Sequence, residues 1–322
     1  MPPELTIVFI NYNSARLLDR ALSSLHDAEP HLAIETLVVD NASRDRAEVV
    51  SVCRRRGARL LLLGRNAGYG AAFNRGYRHA RGRYVAVANP DLVFSTPAMT
   101  GLVRFMDEHP EAGAVSPQLH YADGTPQPSA RRLPRLRYVL AGRRSPLARI
   151  FPHYAPARDF QYADAHLATE PVPVEAVIGT FVVFRRDAID QIAGFDERFF
   201  MYAEDMDVCC RLGRKGWGVY LDPRVTVEHF YGGVRRRFQR FGDYQRLKAL
   251  MRYFSLGRGG LVRLVLRIVF AAYLFLSEAG WLVGLREFEY SWMGTRGQGS
   301  GVRGQAPIPD PRSLNAAPPS QA

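Results

Sequence analysis

The sequence predicts an α/β protein with a mostly parallel, Rossmann-like sheet flanked by helices, followed by a helical extension near the C-terminus. Strand and helix patterns alternate through the N-terminal third of the chain. Polar residues directly follow several strand patterns, and a strongly apolar stretch occupies residues 261–285. Such alternation is typical of βαβ units, in which helices connect parallel strands across the faces of one sheet.

The N-terminal third begins with LTIVFI, residues 5–10, which has the β-branched and apolar content of a buried strand. Leucine and alanine then recur at helical spacing after a possible N-cap at Ser14. The continuing alternation predicts strands at residues 36–40, 58–64 and 84–89, and helices at residues 45–56 and 69–80. We therefore expect a doubly wound sheet here.

The pattern is less regular after residue 96. Residues 121–173 are rich in proline and arginine, and we expect a long, partly ordered insertion, since loops of this length are usually functional or mobile. Around it we predict a helix at residues 97–109, strands at 112–119 and 174–186, a helix at 203–215, and two short extended segments in WGVYLDP and VTVEHF.

Composition limits the class of protein and its compartment. The 322 residues are 47% hydrophobic, which allows one large domain with a substantial core. Three cysteines rule out a disulfide scaffold and favour a reducing compartment, and the N-terminus shows no signal peptide.

The formal net charge is +12, and all basic residues except Lys215 and Lys248 are arginine, which suits phosphate recognition. A solvated surface with a compositional bias explains the same charge equally well. Nucleic-acid binding is not expected, because no zinc spacing, basic zipper or aromatic-basic RNA signature occurs.

The run YVAVANPDLVF places Asp91 where a strand should end at Asn89, because Pro90 cannot donate to a sheet ladder. In open α/β sheets, ligands bind at the carboxyl ends of the strands. If the first, second and fourth strands are neighbours, Asn11, Asp40 and Asp91 share one cleft. Each residue alone is also an ordinary turn or cap residue, so the prediction depends on their clustering.

The run FFMYAEDMDVCC holds three carboxylates, Glu204, Asp205 and Asp207. The first turn of a helix accommodates such residues, because they complement the helix dipole. The large aromatic residues before them indicate a desolvated pocket, and desolvation beside like charges raises the pKa of a carboxyl group towards that of a general base. His229 ends a strand-like segment and, together with Asp91, could complete a site for a divalent cation, Mn²⁺ or Mg²⁺.

These residues lie in segments whose order resembles the family 2 glycosyltransferases, in particular the bacterial rhamnosyltransferase-like branch. The segments run from about residue 5 to His229: TIVFINYNSARLLDRALSSL, VVDNAS, NAGYGAAFNRGYRHARGRYVAVANPD, GTFVVFRRDAIDQIAGFDERFFMYAEDMDVCCRLGRKGW and VEHF. The resemblance implies a GT-A fold and an inverting transfer from a nucleotide-sugar, with L-rhamnose from dTDP-rhamnose as the expected donor. It also implies a divalent cation on the donor diphosphate.

The resemblance also implies roles for individual residues. Asp205 would be the base that deprotonates the acceptor hydroxyl, with Glu204 beside it, and Asp91 would bind the metal together with His229. Many relatives have Asp-X-Asp where this chain has Asn89-Pro90-Asp91, so one carboxylate is missing. The implied donor-binding residues are Asn11, Tyr12, Asp40, Asn41, Asn66, Asn74, Asn89, Asp91 and Gly179.

On this interpretation, residues 1–255 form the GT-A catalytic domain, 256–295 an apolar or amphipathic helical extension, and 296–322 a disordered tail. Arg263, Arg267 and Glu278 argue against a membrane-spanning segment and favour a helix on the membrane surface. Packing of that helix on protein is the alternative. We expect a cytoplasmic enzyme, peripheral on the inner face of the cell membrane, that acts on a cell-surface glycan or lipid-linked acceptor.

Two other functions fit parts of the sequence. A nucleotidyltransferase or NAD-dependent oxidoreductase could use a similar sheet, but NYNS follows the first strand where a dinucleotide fold needs Gly-x-Gly-x-x-Gly. A glycan- or membrane-binding protein that has lost catalysis is the other alternative. The presence together of Asp91, Glu204, Asp205 and His229 argues against it.

Overall fold

The computed structural model describes residues 3–135, 138, 159–160, 162, 165–230, 239–256 and 258–282. The chain divides into two compact units, Met1–Arg267 and Ile268–Ala322. The strands are β1 Leu5–Asn11, β2 Ile34–Asp40, β3 Arg59–Leu62, β4 Tyr84–Ala88, β5 Leu92–Val93, β6 Ala112–His120, β7 Pro126–Gln127, β8 Ala130–Arg131, β9 Val172–Pro173, β10 Ala176–Val177, β11 Phe181–Arg185 and β12 Gly218–His229. The helices are α1 Ala15–Ala28, α2 Arg46–Arg56, α3 Tyr69–Tyr77, α4 Ala98–Glu108, α5 Arg186–Gln191, α6 Glu204–Arg214, α7 Gln239–Ser255 and α8 Gly260–Leu282.

One large sheet organises the first unit, with strand order β3-β2-β1-β4-β11-β6-β12-β5. The β1 strand lies between β2 and β4 and is parallel to both. The β11 strand is antiparallel to both of its neighbours, β4 and β6, whereas β12 is parallel to β6. The sheet is therefore parallel on its N-terminal side and mixed beyond β4, in agreement with the predicted α/β class.

Alternate residues of β1 pack on opposite faces of the sheet. Ile7 and Phe9 join a core with residues of α1, α2 and α4. Val8 and Ile10 join a second core with residues of α3, α5 and α6. Because side chains alternate across a strand, a run as apolar as LTIVFI is explained by helices covering both faces.

Several predicted boundaries need correction. The strand predicted at residues 174–186 is two strands, β10 and β11, because the chain breaks at Gly179 to meet α6. The two extended segments predicted near the end of this region form one strand, β12, with a register shift between Asp222 and Thr226. The strand predicted to end at Asn89 ends at Ala88.

The predicted insertion at residues 121–173 contains β7, β8, β9 and a short 3₁₀ helix at Ala165–Leu167. Helices α5 and α7 and strand β5 are absent from the sequence prediction. The α8 helix lies in the predicted extension, whereas residues 283–295 of that extension and the predicted tail at 296–322 lie outside the described residues. Among the described residues, no helix combines the length and the apolar content that a membrane crossing requires.

Candidate active site

The carboxyl ends of β1 and β2 carry a network of polar side chains, the strand-end cluster, made of Asn11, Asp40, Asn41, Ser43 and Asn66. The strand register pairs Asn11 with Asp40. Asn11 Nδ2 donates to Asp40 Oδ1 at 3.0 Å and to Ser43 Oγ at 3.1 Å. The Ser43 N–H donates to Asp40 Oδ2 at 3.1 Å. Because these residues bond to one another, their geometry is fixed without a ligand.

Asn41 and Asn66 extend the cluster to the loop before α3. Asn41 Oδ1 accepts the Ala67 N–H at 2.8 Å, and Asn41 Nδ2 donates to the Gly68 carbonyl at 3.2 Å. Asn66 Oδ1 accepts the Gly68 N–H at 3.0 Å. Gly68 has φ 92°, and a Cβ there would lie 2.5 Å from the Phe200 carbonyl oxygen. This glycine therefore lets the loop approach the segment that precedes α6.

Three further predicted donor-binding residues have different surroundings. Tyr12 is 44% exposed beside the strand-end cluster. The Asn89 N–H donates to the Thr180 carbonyl at 2.9 Å and so joins the end of β4 to the Gly179 turn. Asn74 bonds instead to the main chain of Phe195, at 2.8 and 2.9 Å, and to Glu197 Oε1 at 3.2 Å. The carboxamide of Asn74 thus stabilises the backbone at Phe195. Its contribution to a donor site remains a prediction.

Asp91 and His229 are brought together by the pairing of β5 with β12. His229 pairs with Leu92, and the Phe230 N–H donates to the Asp91 carbonyl at 2.8 Å. His229 Nε2 lies 3.3 Å from Asp91 Oδ2. The Asp91 side chain remains 24% accessible, whereas that of His229 is only 5% accessible. The two residues that sequence analysis assigned to one cation site are therefore adjacent.

The chemistry of this pair fits a cation. Asp91 Oδ1 is buried without a hydrogen-bond donor among the described residues. The carboxamide oxygen of Gln127 lies 2.8 Å from His229 Nδ1, so Nδ1 donates to it, and in the neutral imidazole Nε2 would have a lone pair that faces Asp91. Across the described residues, no three His, Cys, Asp or Glu side chains gather into a metal site. Among the described residues, Asp91 and His229 thus provide two ligand side chains here.

Glu204 and Asp205, the carboxylate pair, begin α6 directly after strained backbone. Tyr202 and Ala203 have φ values of 71° and 62°, in the left-handed region that non-glycine residues rarely occupy. Such conformations cost about 1 to 3 kcal/mol each and concentrate at functional sites. The strain therefore marks this turn independently of its acidic residues.

Asp205 is held by two main-chain donors. Its Oδ2 accepts the Gly179 N–H at 3.0 Å, and its Oδ1 accepts the Met206 N–H at 2.8 Å. Burial raises the pKa of Asp205, while these two N–H groups and the nearby Arg131 oppose that rise. The result is an oriented carboxyl group with a pKa above its usual range, which suits a general base.

Glu204 lies in a less favourable environment. Only 6% of the residue is exposed, and its Oε2 is buried without a donor among the described residues. Burial raises the pKa of Glu204 well above its usual value, and the neighbouring Asp205 charge adds to the rise. A neutral Glu204 beside an ionised Asp205 is therefore the favoured state of the pair.

The sequence prediction missed Tyr69, Gln127 and Arg131. The Tyr69 hydroxyl donates to the Gly179 carbonyl at 2.5 Å. Burial is the main cause that raises the pKa of Tyr69, and the charges of Glu204, Asp205 and Asp91 add to the rise. Tyr69 thus joins the carboxylate pair to the Asp91 end of the site. Gln127 and Arg131 lie in the predicted insertion, where β7 pairs with the neighbouring β6 and β8 pairs with the distant β10.

Comparison with known proteins agrees with this fold. The model for glycosyl transferase family 2 matches residues 6–193, and that for glycosyl transferase family group 2 matches residues 156–292. The N-acetylglucosaminyl-diphospho-decaprenol L-rhamnosyltransferase of Mycobacterium tuberculosis is 33% identical over 241 residues, 71% of this chain and 77% of the relative. Rhamnosyltransferase WbbL of Escherichia coli is 22% identical over 77% of this chain and 92% of its own length.

Solved structures confirm the predicted fold class. The mannosyltransferase PcManGT from Pyrobaculum calidifontis, in complex with GDP-Man and Mn²⁺, has a TM-score of 0.55 at 19% identity, covering 85% of this chain and 70% of that one. GalNAc-T7 with UDP, GalNAc and Mn²⁺ has a TM-score of 0.54 at 13% identity, covering 84% of this chain and 55% of that one. At such identities the likeness concerns the fold alone.

Proposed function

Because the chain belongs to glycosyl transferase family 2, we propose that it is an inverting transferase that moves L-rhamnose from dTDP-rhamnose to a hydroxyl of a lipid-linked glycan. The observation that carries this proposal is the oriented Asp205 carboxyl group, whose charge acts together with that of Asp91 on the buried Tyr69. The two rhamnosyltransferase relatives support the sugar, and the diphospho-decaprenol in one relative's name supports the class of acceptor.

The donor nucleotide binds at the strand-end cluster in this proposal. Asn11 is fully buried and supports this surface through the bonds of its Nδ2 to Asp40 and Ser43. Tyr12, exposed at the same edge, offers a ring for stacking on the base. The internal bonds of Asp40 and Asn41 hold this surface in one shape before the donor arrives.

Asp91 and His229 would hold a divalent cation, Mn²⁺ or Mg²⁺, beside the donor diphosphate. Asp91 Oδ1, which has no hydrogen-bond donor among the described residues, and the facing Asp91 Oδ2 and His229 Nε2 atoms support this assignment. When bound, the cation neutralises negative charge that develops on the departing diphosphate. Because Asp91 and His229 are the two ligand side chains here, we expect tight cation binding only together with the diphosphate.

Asp205 accepts the proton of the acceptor hydroxyl. As the hydroxyl oxygen forms a bond to the anomeric carbon, the bond to the nucleoside diphosphate breaks and the proton passes to Asp205. The Gly179 and Met206 N–H groups keep the carboxylate in place during this step. Attack opposite the leaving group inverts the anomeric configuration.

A panel of nucleotide-sugars tests the donor assignment. We expect dTDP-rhamnose with Mn²⁺ to raise the unfolding temperature more than GDP-, UDP- or ADP-hexoses, since a ligand at 100 times its Kd adds about 2.7 kcal/mol to stability. Transfer to a diphosphate-linked N-acetylglucosaminyl lipid then tests the acceptor. Equal stabilisation by all donors, or transfer of another sugar only, would refute the rhamnose assignment.

We also propose that α8 attaches the enzyme to the cytoplasmic face of the membrane. Seven described apolar residues of the helix are at least 41% exposed: Leu261, Val262, Leu264, Val265, Ile268, Val269 and Phe275. Arg263 and Arg267, on the same helix, are also exposed. Exposed apolar residues beside arginines suit the boundary between acyl chains and anionic headgroups.

Cell fractionation of the full chain and of a chain truncated after Arg258 tests this attachment. The full chain should pellet with membranes, and the truncated chain should remain in the supernatant. A full-length protein that stays in the supernatant would contradict the proposal, as would a truncated protein that pellets and resists high salt.

A further inference from the structure

We infer that Gln127 is a positioning residue for the cation site: its carboxamide fixes which nitrogen of His229 carries the ring hydrogen, so that Nε2 faces Asp91 as a ligand. This inference rests on the proposed function, because it concerns the cation that Asp91 and His229 would hold. It adds a residue that does not touch the cation or the donor itself.

The hydrogen bond between the two side chains is short and buried. The carboxamide oxygen of Gln127 lies 2.8 Å from His229 Nδ1. Gln127 is 5% exposed and His229 is 4% exposed, so water does not compete freely for this bond. An amide oxygen can only accept, and Nδ1 must therefore donate. In neutral histidine this leaves Nε2 as the acceptor, directed at Asp91 Oδ2 at 3.3 Å.

Gln127 is itself held on both sides. Gln127 pairs with Leu119 where β7 joins β6, and the main-chain carbonyl of Gln127 accepts a hydrogen bond from Gln118 Nε2 at 3.0 Å. Two residues further on, the Ser129 carbonyl accepts the Ile178 N–H at 2.9 Å. The glutamine thus stands on a short strand that is fixed to the sheet, and its carboxamide can impose an orientation on the imidazole.

Asp91 Oδ2 and the neutral His229 Nε2 are both acceptors, which explains why a residue such as Gln127 is needed to keep the ring hydrogen on Nδ1. Asp91 Oδ2 and an unprotonated Nε2 repel each other unless a cation lies between them. If Nε2 carried the hydrogen instead, it would donate to Asp91, and that satisfied pair would compete with the metal. Histidine ligands of metals usually donate their other ring N–H to an oxygen acceptor, and loss of that acceptor weakens metal binding about 10- to 100-fold.

Three glutamine variants of the full chain separate this role from a structural one. Gln127→Leu has a similar size but no acceptor, and Gln127→Glu keeps an acceptor. Gln191→Leu is the matched control, because Gln191 Oε1 also accepts an aromatic ring N–H, that of Trp217 at 3.0 Å, elsewhere on the protein. Mn²⁺ is titrated in the presence of dTDP, with free Mn²⁺ followed by electron paramagnetic resonance and folding checked by metal-free thermal unfolding.

We expect Gln127→Leu to weaken Mn²⁺ binding about 10- to 100-fold. The Mn²⁺ affinity of Gln127→Glu and of Gln191→Leu should stay within about twofold of the parent. Nitrogen-15 spectra of the protein with dTDP and diamagnetic Mg²⁺ provide a second readout. The His229 signal, identified by its loss in His229→Ala, should report hydrogen on Nδ1 in the parent and a mixed or opposite tautomer in Gln127→Leu. This spectrum also decides the outcome if Gln127→Leu is less stable.

The failures of the two ideas are distinguishable. If Asp91→Ala abolishes Mn²⁺ binding while folded Gln127→Leu binds normally or keeps the parent tautomer, the inference about Gln127 is overturned and the cation site stands. If parent and Asp91→Ala bind Mn²⁺ equally, the cation site itself is wrong, and the positioning role of Gln127 falls with it.

Discussion

Asn11, Asp40 and Ser43 bond to one another at the carboxyl ends of β1 and β2, whereas burial raises the pKa of both carboxyl groups, Glu204 and Asp205, at the start of α6. The strand-end cluster follows regular strands, and the carboxylate pair follows two residues with left-handed backbone. The first region is therefore stable in one shape without a ligand. The second region holds Glu204, whose negative charge is disfavoured by burial and by the neighbouring Asp205.

The largest expected effect tests the carboxylate pair. Asp205→Asn keeps the size of the side chain but removes the proton acceptor, so turnover should fall about 100-fold or more, while the Kd for dTDP with Mn²⁺ stays nearly constant. Steady-state kinetics and calorimetry measure the two quantities. Turnover close to that of the parent would remove Asp205 from the proposed role and leave Glu204 as the next candidate.

Asp207→Asn is the matched control on the same helix. Asp207 Oδ2 accepts from Arg211 Nε at 2.7 Å, so its carboxylate has a structural partner. Its substitution should lower thermal stability but leave the turnover of the folded protein within a few-fold of the parent. A loss as large as that of Asp205→Asn would show that general damage to α6, and not loss of the base, explains both results.

The strand-end cluster should respond in binding rather than in turnover. Asp40→Ala removes the acceptor for Asn11 Nδ2 and the Ser43 N–H, which should cost about 1 to 3 kcal/mol of stability. Donor affinity should fall about 10-fold, equivalent to about 1.4 kcal/mol, with turnover at saturating donor little changed. An equal fall in turnover at saturation would mean that the two regions are not separate in function.

Arg131 should tune the carboxylate pair through its charge. Burial lowers the pKa of Arg131 to about 10, so the side chain remains a cation at neutral pH, and its charge lowers the pKa of Asp205. Arg131→Gln should therefore raise the pKa of Asp205 and move the acid limb of kcat/KM to higher pH.

The control for this pH profile is the adjacent Arg132. Its guanidinium donates to Asp159 Oδ1 at 2.9 Å and to Glu175 Oε1 at 3.1 Å, so Arg132→Gln should change stability without moving the acid limb. The same shift in both variants, or none in Arg131→Gln, would contradict the assigned role of Arg131.

The smallest expected effect is on stability, in Glu204→Gln. The pKa of Glu204 is raised in the folded protein, so the native state binds more protons than the unfolded state between the ordinary and the raised pKa. The parent should lose stability as pH rises through this window, whereas the variant should lose less. Denaturant unfolding at several pH values measures the difference, and parallel curves would show that Glu204 is not desolvated as described.

The two regions also differ in how far the sequence predicts them. Asn11, Asp40 and Asp91 follow recognisable strands, and parallel pairing of β1 with β2 and β4 places their ends together. Local pattern was therefore sufficient at this edge. The aromatic run before α6 likewise indicated a desolvated pocket around Glu204 and Asp205.

Long-range pairing explains what the sequence did not reveal. Tyr69 reaches the Gly179 carbonyl across 110 residues, and Gln127 reaches His229 across 102 residues. Gln127 stands on a strand of two residues, β7, that has no periodicity to detect. Gly179 lies inside one continuous apolar run, so only the contact of its N–H with Asp205 explains why that run divides into β10 and β11.

The comparison of Asp91→Ala with Asp205→Asn in Mn²⁺-dependent dTDP binding tests the central claim most directly. That claim is that the cleft divides into a part that holds the donor diphosphate and a part that accepts the acceptor's proton. The account predicts that Asp91→Ala abolishes the Mn²⁺-dependent heat of dTDP binding in calorimetry, whereas Asp205→Asn binds like the parent and yet fails in transfer. Unchanged Mn²⁺-dependent binding in Asp91→Ala, or its loss in a folded Asp205→Asn, would contradict this division of the site.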